Sequence, residues 1–342
     1  MHDARVLVVD DSAAMRALFS DLLEQSRNVR VVGTAANVNE AREQIELLRP
    51  NVLTLDVEMP GMSGIEFLEE IMDSNPMPVV MLSSLTQSGA VTTLRAYELG
   101  AVECFPKPLK VSPEQFAKNV SKLGKIVLAA ANSNVRQKRP HHVNRWHKEQ
   151  FHWNGTLIAI NASMGGFEAL TDLFAAYPPN CPPTVVVLQA EPEVANAFIQ
   201  RLNTELACTV TPAKDGTSLL QGGIYIASDP DFHVVLEAGE PAQLRLLARE
   251  PANGVRPSAD LLFGTIARAG VPAIGIMLSG LGQDGAKGLL LMRNAGAETF
   301  AQERGNAIVP EAPTAAINLN AAMHELPADQ IGAEAIKACT EK

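Results

Sequence analysis

Aromatic residues are scarce in this 342-residue chain, at 5% with 2 tryptophans and 3 tyrosines, and charged residues make up only 19%. So low a charge density beside 46% hydrophobic residues excludes a disordered polyelectrolyte and leaves packed globular domains. Positive charge is the minority sign: 28 lysines and arginines against 38 acidic residues give a net charge of -10 at pH 7. Nucleic acid is therefore not an expected partner, because neutralising phosphate needs a basic surface. Cysteine is sparse as well. Cys104, Cys181, Cys208 and Cys339 lie far apart, with neither a metal-ligand spacing nor the density of a disulfide scaffold, which points to a reducing cytoplasm. No uninterrupted apolar run approaches the roughly 20 residues of a membrane span. The short run Val6 to Val9 ends at two aspartates, unlike a signal peptide, so neither export nor membrane insertion is expected.

What is present is alternation. Short β-branched runs at Val6 to Val9, Val29 to Thr34, Val52 to Leu55, Val79 to Leu82 and Ala101 to Phe105 read as strands. Amphipathic stretches between and after them, ending with Ser112 to Ala129, read as helices. Together they predict an α/β unit with a five-stranded, parallel, doubly wound sheet over residues 1–130. Composition then shifts. Residues 131–153 read as a flexible linker, basic through Arg136, Lys138, Arg139, Arg145 and Lys148 and carrying His141, His142, His147 and His152 with Trp146 and Trp153. Four histidines could bind a metal transiently, but no acidic or cysteine partner stands at ligand spacing. Over residues 154–342 the alternation resumes, predicting a second α/β unit with a mostly parallel sheet and a hairpin-like insertion around Pro230 to Leu247.

Doubly wound sheets place chemistry in the loops at the carboxyl ends of their strands. In the first unit Asp10 and Asp11 follow the first strand and Asp56 the third, while Ser83 and Lys107 end the fourth and fifth. Asp10 alone could be a helix cap. Three carboxylates gathered at one edge repel one another unless a cation offsets them, which makes them candidate magnesium ligands. A hydroxyl and an ammonium at the same rim would suit a phosphoryl group held on one aspartate.

The segments Val-Leu-Val-Val-Asp10-Asp11-Ser, Asp56-Val-Glu-Met-Pro-Gly-Met-Ser-Gly64, Met81-Leu-Ser83-Ser84 and Phe105-Pro-Lys107-Pro108 resemble those of two-component receiver domains. That resemblance implies that Asp56 accepts phosphate from a histidine kinase and that Asp10 and Asp11, with Asp56, bind Mg2+. It also implies that Ser83 and Lys107 sense the phosphoryl state and that Phe105 is the aromatic switch.

In the second unit, Asn161-Ala162-Ser163-Met164-Gly165-Gly166 sets a serine between a strand and a helix, where free helix amides could hold an oxyanion, although Ser163 could equally be an N-cap. Leu278-Ser279-Gly280-Leu281-Gly282-Gln283-Asp284-Gly285 precedes another helix; Asp284 could orient an imidazole or cap that helix. Arg256-Pro257-Ser258-Ala259-Asp260 opens a third, and Arg256 could clamp an anion or pair at the surface. These segments resemble the catalytic domain of the chemotaxis receptor methylesterases, the CheB family.

The resemblance implies hydrolysis of glutamate methyl esters and deamidation of glutamines on methyl-accepting chemotaxis receptors, with Ser163 as nucleophile and Asp284 as acid. The chain departs from the family at the base. Where the family carries Gln-His-Met-Pro, this sequence reads Gln189-Ala190-Glu191-Pro192, so Ala190 stands at the histidine position. An alanine cannot take the serine proton, and turnover is expected to be weak or absent. The alternative output is a non-catalytic, phosphorylation-controlled binding protein. Glu191 and His233 are the candidate replacement bases, and His233 reads more readily as a structural or pocket-lining residue.

Overall fold

The structure is a computed structural model that describes residues 2–83, 87–107, 113–136 and 151–341. It separates into two compact units, residues 1–139 and 140–342. His141, His142, His147 and Trp146, the core of the predicted linker, lie outside the described residues, as does Pro108.

The first unit carries strands β1 (Ala4–Val9), β2 (Val29–Ala35), β3 (Val52–Asp56), β4 (Val79–Ser83) and β5 (Glu103–Pro106). They form one parallel sheet in the order β2-β1-β3-β4-β5. Helices α1 (Ala13–Glu24), α2 (Val38–Leu48), α3 (Gly64–Ser74), α4 (Gln87–Leu99) and α5 (Pro113–Ala131) link or follow the strands. Strands β3 and β4 are buried along their whole length, because helices cover both faces of a parallel sheet. Leu7, Val9, Leu53, Leu55, Val79 and Met81 pack on one side against Phe67 and Leu68 of α3. Burial of a phenylalanine such as Phe67 contributes about 2 to 3 kcal/mol.

Local sequence sets the helix starts. Ser12 caps α1, Asn37 caps α2, and Ser63 with Glu66 forms a reciprocal capping box on α3. Gly64 has to be glycine: a Cβ there would lie 1.8 Å from the carbonyl oxygen of Asp56. That close approach lets the segment after β3 fold back so that the Gly64 amide donates to the Val57 carbonyl at 3.0 Å.

The second unit is built on β6 (Leu157–Ala162), β7 (Thr184–Leu188), β8 (Thr209–Pro212), β9 (Gly223–Ala227), β12 (Ala273–Met277), β13 (Glu298–Gln302) and β14 (His324–Leu326). All seven pair in parallel, in the order β14-β13-β12-β6-β7-β9-β8. The predicted insertion is an antiparallel hairpin of β10 (His233–Glu237) and β11 (Gln243–Leu247). Helices α6 (Gly166–Phe174), α7 (Pro192–Glu205), α8 (Ala259–Ala269), α9 (Ala286–Asn294), α10 (Glu311–Asn318) and α11 (Ala328–Ala338) complete it. Apolar periodicity suggests a helix over Phe167 to Tyr177; α6 stops at Phe174, after which the Ala176 and Tyr177 amides turn back to the carbonyls of Leu173 and Phe174. Helix α8, which the sequence suggests from Pro257, begins at Ala259 with Ser258 as its N-cap.

Strand order reverses at β6, with β7 on one side and β12 on the other. That is where a doubly wound sheet opens a crevice.

Candidate functional site

At the carboxyl edge of the first sheet, Asp10, Asp11 and Asp56 present oxygens that all lie within 4.8 Å of one another. Asp10 and Asp56 are buried and Asp11 is exposed. Among the described residues this is the one cluster with metal-ligand geometry. Three hard oxygen donors suit a magnesium-type cation. The main chain under them is held in place, since the Arg16 guanidinium donates to the carbonyls of Asp10 at 2.7 Å and Asp11 at 3.0 Å.

Lys107 joins the cluster. Its ammonium stands 2.8 Å from Asp10 Oδ2 and 2.7 Å from Asp56 Oδ2. The Lys107 amide donates to the Ser83 carbonyl at 2.9 Å, which keeps the ends of β4 and β5 together. Burial raises the Asp56 carboxyl above the usual range, while Lys107 pulls it back and Asp10 adds to the rise. Burial works to lower the Lys107 pKa, but bonds to Asp10 and Asp56 outweigh it and the net shift is upward. Ser83 and Phe105 are both buried, Phe105 opposite Leu82 in the β4–β5 register.

In the second unit, Ser163 follows β6. Gly165, at φ +72°, starts α6, and a Cβ there would come within 2.7 Å of Ser279 Oγ and of the Ile308 side chain. The Ser163 amide donates to the Ser279 carbonyl at 3.1 Å, and the Ser163 hydroxyl accepts from the Leu281 amide at 3.1 Å. Gly280 makes room for that hydroxyl, since a Cβ would lie 2.4 Å from it. Ala162 pairs with Leu188, and the Gln189 amide donates to the Ala162 carbonyl at 3.1 Å, so the segment carrying Ala190 leaves β7 beside the residue that precedes Ser163.

Asp284 caps a helix, but not the one that follows it. Its Oδ1 accepts from the Ser258 hydroxyl at 2.6 Å and its Oδ2 from the Ala259 amide at 2.7 Å, at the start of α8; α9 is capped by Gly285 instead. Burial raises the Asp284 carboxyl, with the Ser258 and Ala259 bonds opposing. The Asn161 amide donates to the Asp284 carbonyl at 2.9 Å. His233 is fully buried: Nδ1 accepts from the Ser258 amide at 3.2 Å, which leaves the proton on Nε2 to face the Glu250 carbonyl at 3.0 Å. Glu191 is exposed at the N-cap of α7. Arg256 is turned to the hairpin loops, donating to the carbonyls of Pro230 and, at 2.7 Å, Arg249, with Asp231 3.6 Å away.

Sequence reasoning did not find Gln302 or Asn306. Gln302 Oε1 accepts from the Ser279 amide at 2.8 Å and its amide group donates to Asn306 Oδ1 at 2.7 Å, fixing the loop that reaches Ser163. Gln302 ends β13 at the same carboxyl edge, so its strand-end position was the available signal.

The family described as CheB methylesterase matches residues 158–335, and the response regulator receiver domain family matches residues 6–120. A protein-glutamate methylesterase/protein-glutamine glutaminase of Agrobacterium fabrum is 42% identical over 343 residues, covering 99% of this chain and 97% of its own length. One from Caulobacter vibrioides is 41% identical over 335 residues, covering 97% of each. The crystal structure of the Thermotoga maritima CheB methylesterase catalytic domain superimposes with a TM-score of 0.51 at 30% identity, over 54% of this chain and 99% of that one. With a receiver-type sheet, an effector sheet whose crevice holds a strand-to-helix serine, and similarity along both units, the chain belongs to the chemotaxis response regulators of the protein-glutamate methylesterase/protein-glutamine glutaminase family.

Proposed function

We propose that the chain is a cytoplasmic, phosphorylation-controlled chemotaxis regulator whose methylesterase-type unit turns over weakly or not at all. On this reading an Asp56 carboxylate oxygen attacks the phosphorus of a phosphohistidine on a chemotaxis histidine kinase, and the imidazole leaves. Lys107 neutralises the phosphoryl oxygens, Ser83 donates a hydrogen bond to one of them, and Phe105 responds to the repacking. Asp10, Asp11 and Asp56 would hold Mg2+, whose charge offsets the phosphoryl oxygens. The tight oxygen cluster and the Lys107 bridge support these assignments.

In the second unit, Ser163 is read as the nucleophile toward glutamate methyl esters and glutamine amides of methyl-accepting chemotaxis receptors, with Asp284 as the acid. The observation that carries the reading of weak turnover is the β6–β7 register, which sets the segment with Ala190, itself without an imidazole, at the Ser163 end of the sheet. His233 offers no substitute, because both ring nitrogens face main-chain partners. Loss of the histidine in a comparable serine hydrolase lowers turnover about a millionfold. The intact surroundings of Ser163 favour, as a second reading, a binding protein that engages receptors without hydrolysing them.

Methanol released from methylated receptor should stay near background for the full-length chain, phosphorylated or not. It should rise in Ala190→His and fall again when Ser163→Ala is added. Efficient, Ser163-dependent turnover by the unchanged sequence would refute the reading.

A further inference from the structure

We propose that Ser258 and His233 are positioning residues that hold the Asp284 carboxylate in a single orientation. The inference rests on the reading of Asp284 as the acid of the Ser163 site. Three observations meet at Asp284. Ser258 is the N-cap residue of α8, yet its hydroxyl makes no bond to the helix amides. Its one proton goes to Asp284 Oδ1 at 2.6 Å, and Asp284 Oδ2 takes the Ala259 amide that begins the helix. A serine N-cap normally satisfies such amides itself. Here that task has passed to a carboxylate from a distant loop.

The second observation is on β10. His233 is fully buried, and its Nδ1 accepts the Ser258 amide. The bond from Nε2 to the Glu250 carbonyl fixes the tautomer, so the ring sets where the Ser258 backbone sits and from which side its hydroxyl reaches Asp284. The third is on β6. Asn161 is 4% exposed and donates to the Asp284 carbonyl, while its Oδ1 is buried without a hydrogen-bond partner. Asp284 is thereby held at its carbonyl from β6 and at its carboxylate from α8. The neighbouring Asp260 carboxylate is engaged elsewhere, accepting from the Gly288 amide at 2.7 Å.

An orphaned, buried amide oxygen and an N-cap serine that does not cap its own helix are each unfavourable alone. Gathered around Asp284, they mark a group whose orientation is specified for chemistry. The His233–Ser258–Asp284 chain links the hairpin to the crevice, so His233 acts on the acid through Ser258 and is not itself a catalytic residue.

The test uses the full-length protein with its aspartate side-chain carboxyls labelled with carbon-13, following the Asp284 titration by NMR. Ser258→Ala should raise its midpoint by about one pH unit, since a hydrogen bond to the charged form is lost. His233→Leu should raise it by about half as much, and Ser258→Thr should keep the original value. If Ser258→Ala fails to fold, Ser258→Cys, a weaker donor of similar size, should give a smaller rise of the same sign. An unchanged midpoint in a folded Ser258→Ala or Ser258→Cys protein would overturn the proposal, because a serine serving only α8 would not move it. Methanol release is a separate readout: efficient turnover by the unchanged chain would refute the weak-turnover reading while leaving the titration result standing.

Discussion

Replacing Lys107 with methionine tests the receiver site most directly. The side chains of Lys107, Asp10 and Asp56 are 12%, 0% and 4% exposed, and the ammonium bridges the two carboxylates. Removing one partner from a buried ion pair costs about 3 to 5 kcal/mol. Solvent reaches Lys107, and Asp56 can relieve the repulsion by taking up a proton, so the expected loss is about 2 to 3 kcal/mol. The Lys107 pKa is raised on folding, so its contribution is fully present below about pH 10 and disappears only as pH climbs through the higher folded value. An assay at neutral pH therefore reads the whole effect.

Magnesium at about ten times its dissociation constant should return about 1.4 kcal/mol, because it binds the folded cluster and not the unfolded chain. Tryptophan fluorescence is the wrong probe, since Trp146 and Trp153 both lie beyond residue 139. Amide exchange in peptides from β1 and β3, followed through urea, reports on the first unit alone. Protection in Lys107→Met equal to that of the parent without magnesium would refute the reasoning, as would a loss that magnesium does not reduce.

Acetyl phosphate with magnesium should add one alkali-labile phosphoryl group that Asp56→Asn lacks; label persisting in that variant would move the acceptor elsewhere. Because burial raises the Asp56 carboxyl, the labelling rate should fall on acidification at a higher pH than for an ordinary aspartate, and a rate held flat down to about pH 4 would contradict this. For the proposed division into residues 1–130, 131–153 and 154–342, limited proteolysis should cut first between Asn132 and Trp153, and earlier cutting inside β3 or β7 would overturn it.

The receiver-type sheet was legible because its strands are short, apolar and followed by residues with distinctive chemistry. Val52-Leu-Thr-Leu55 announces both β3 and the place of Asp56. The second sheet was harder to read where its core is polar. Strand β13 presents no plain apolar run, because its buried positions include Thr299 and Gln302, whose polar groups are satisfied by the Ala321 carbonyl and the Ser279 amide. No hydropathy pattern reveals a strand whose interior is stabilised by hydrogen bonds from distant loops. The three-residue β14 is too short to signal at all, and α11, rich in alanine, carries few large apolar residues to mark a face. Ser163 and Asp284 were found as turn residues, but the capping of α8 by Asp284 spans 25 positions from Ala259 and leaves no local trace.

The sheet edges have a consequence for self-association. In the seven-stranded sheet of the second unit they are β14, three residues long, and β8, four residues ending at Pro212. In the first, β5 is four residues ending at Pro106, and the seven-residue β2 carries exposed Arg30 and Thr34 opposite a register shift at Val6 and Leu7. Short, proline-ended or irregular edges offer poor templates for another strand. A second molecule therefore gains little by adding to either parallel sheet, which favours helix and loop side chains as the material of any dimer that forms on phosphorylation. Such contacts can be released again when the phosphoryl group is lost, whereas strand addition would tend toward aggregates that persist.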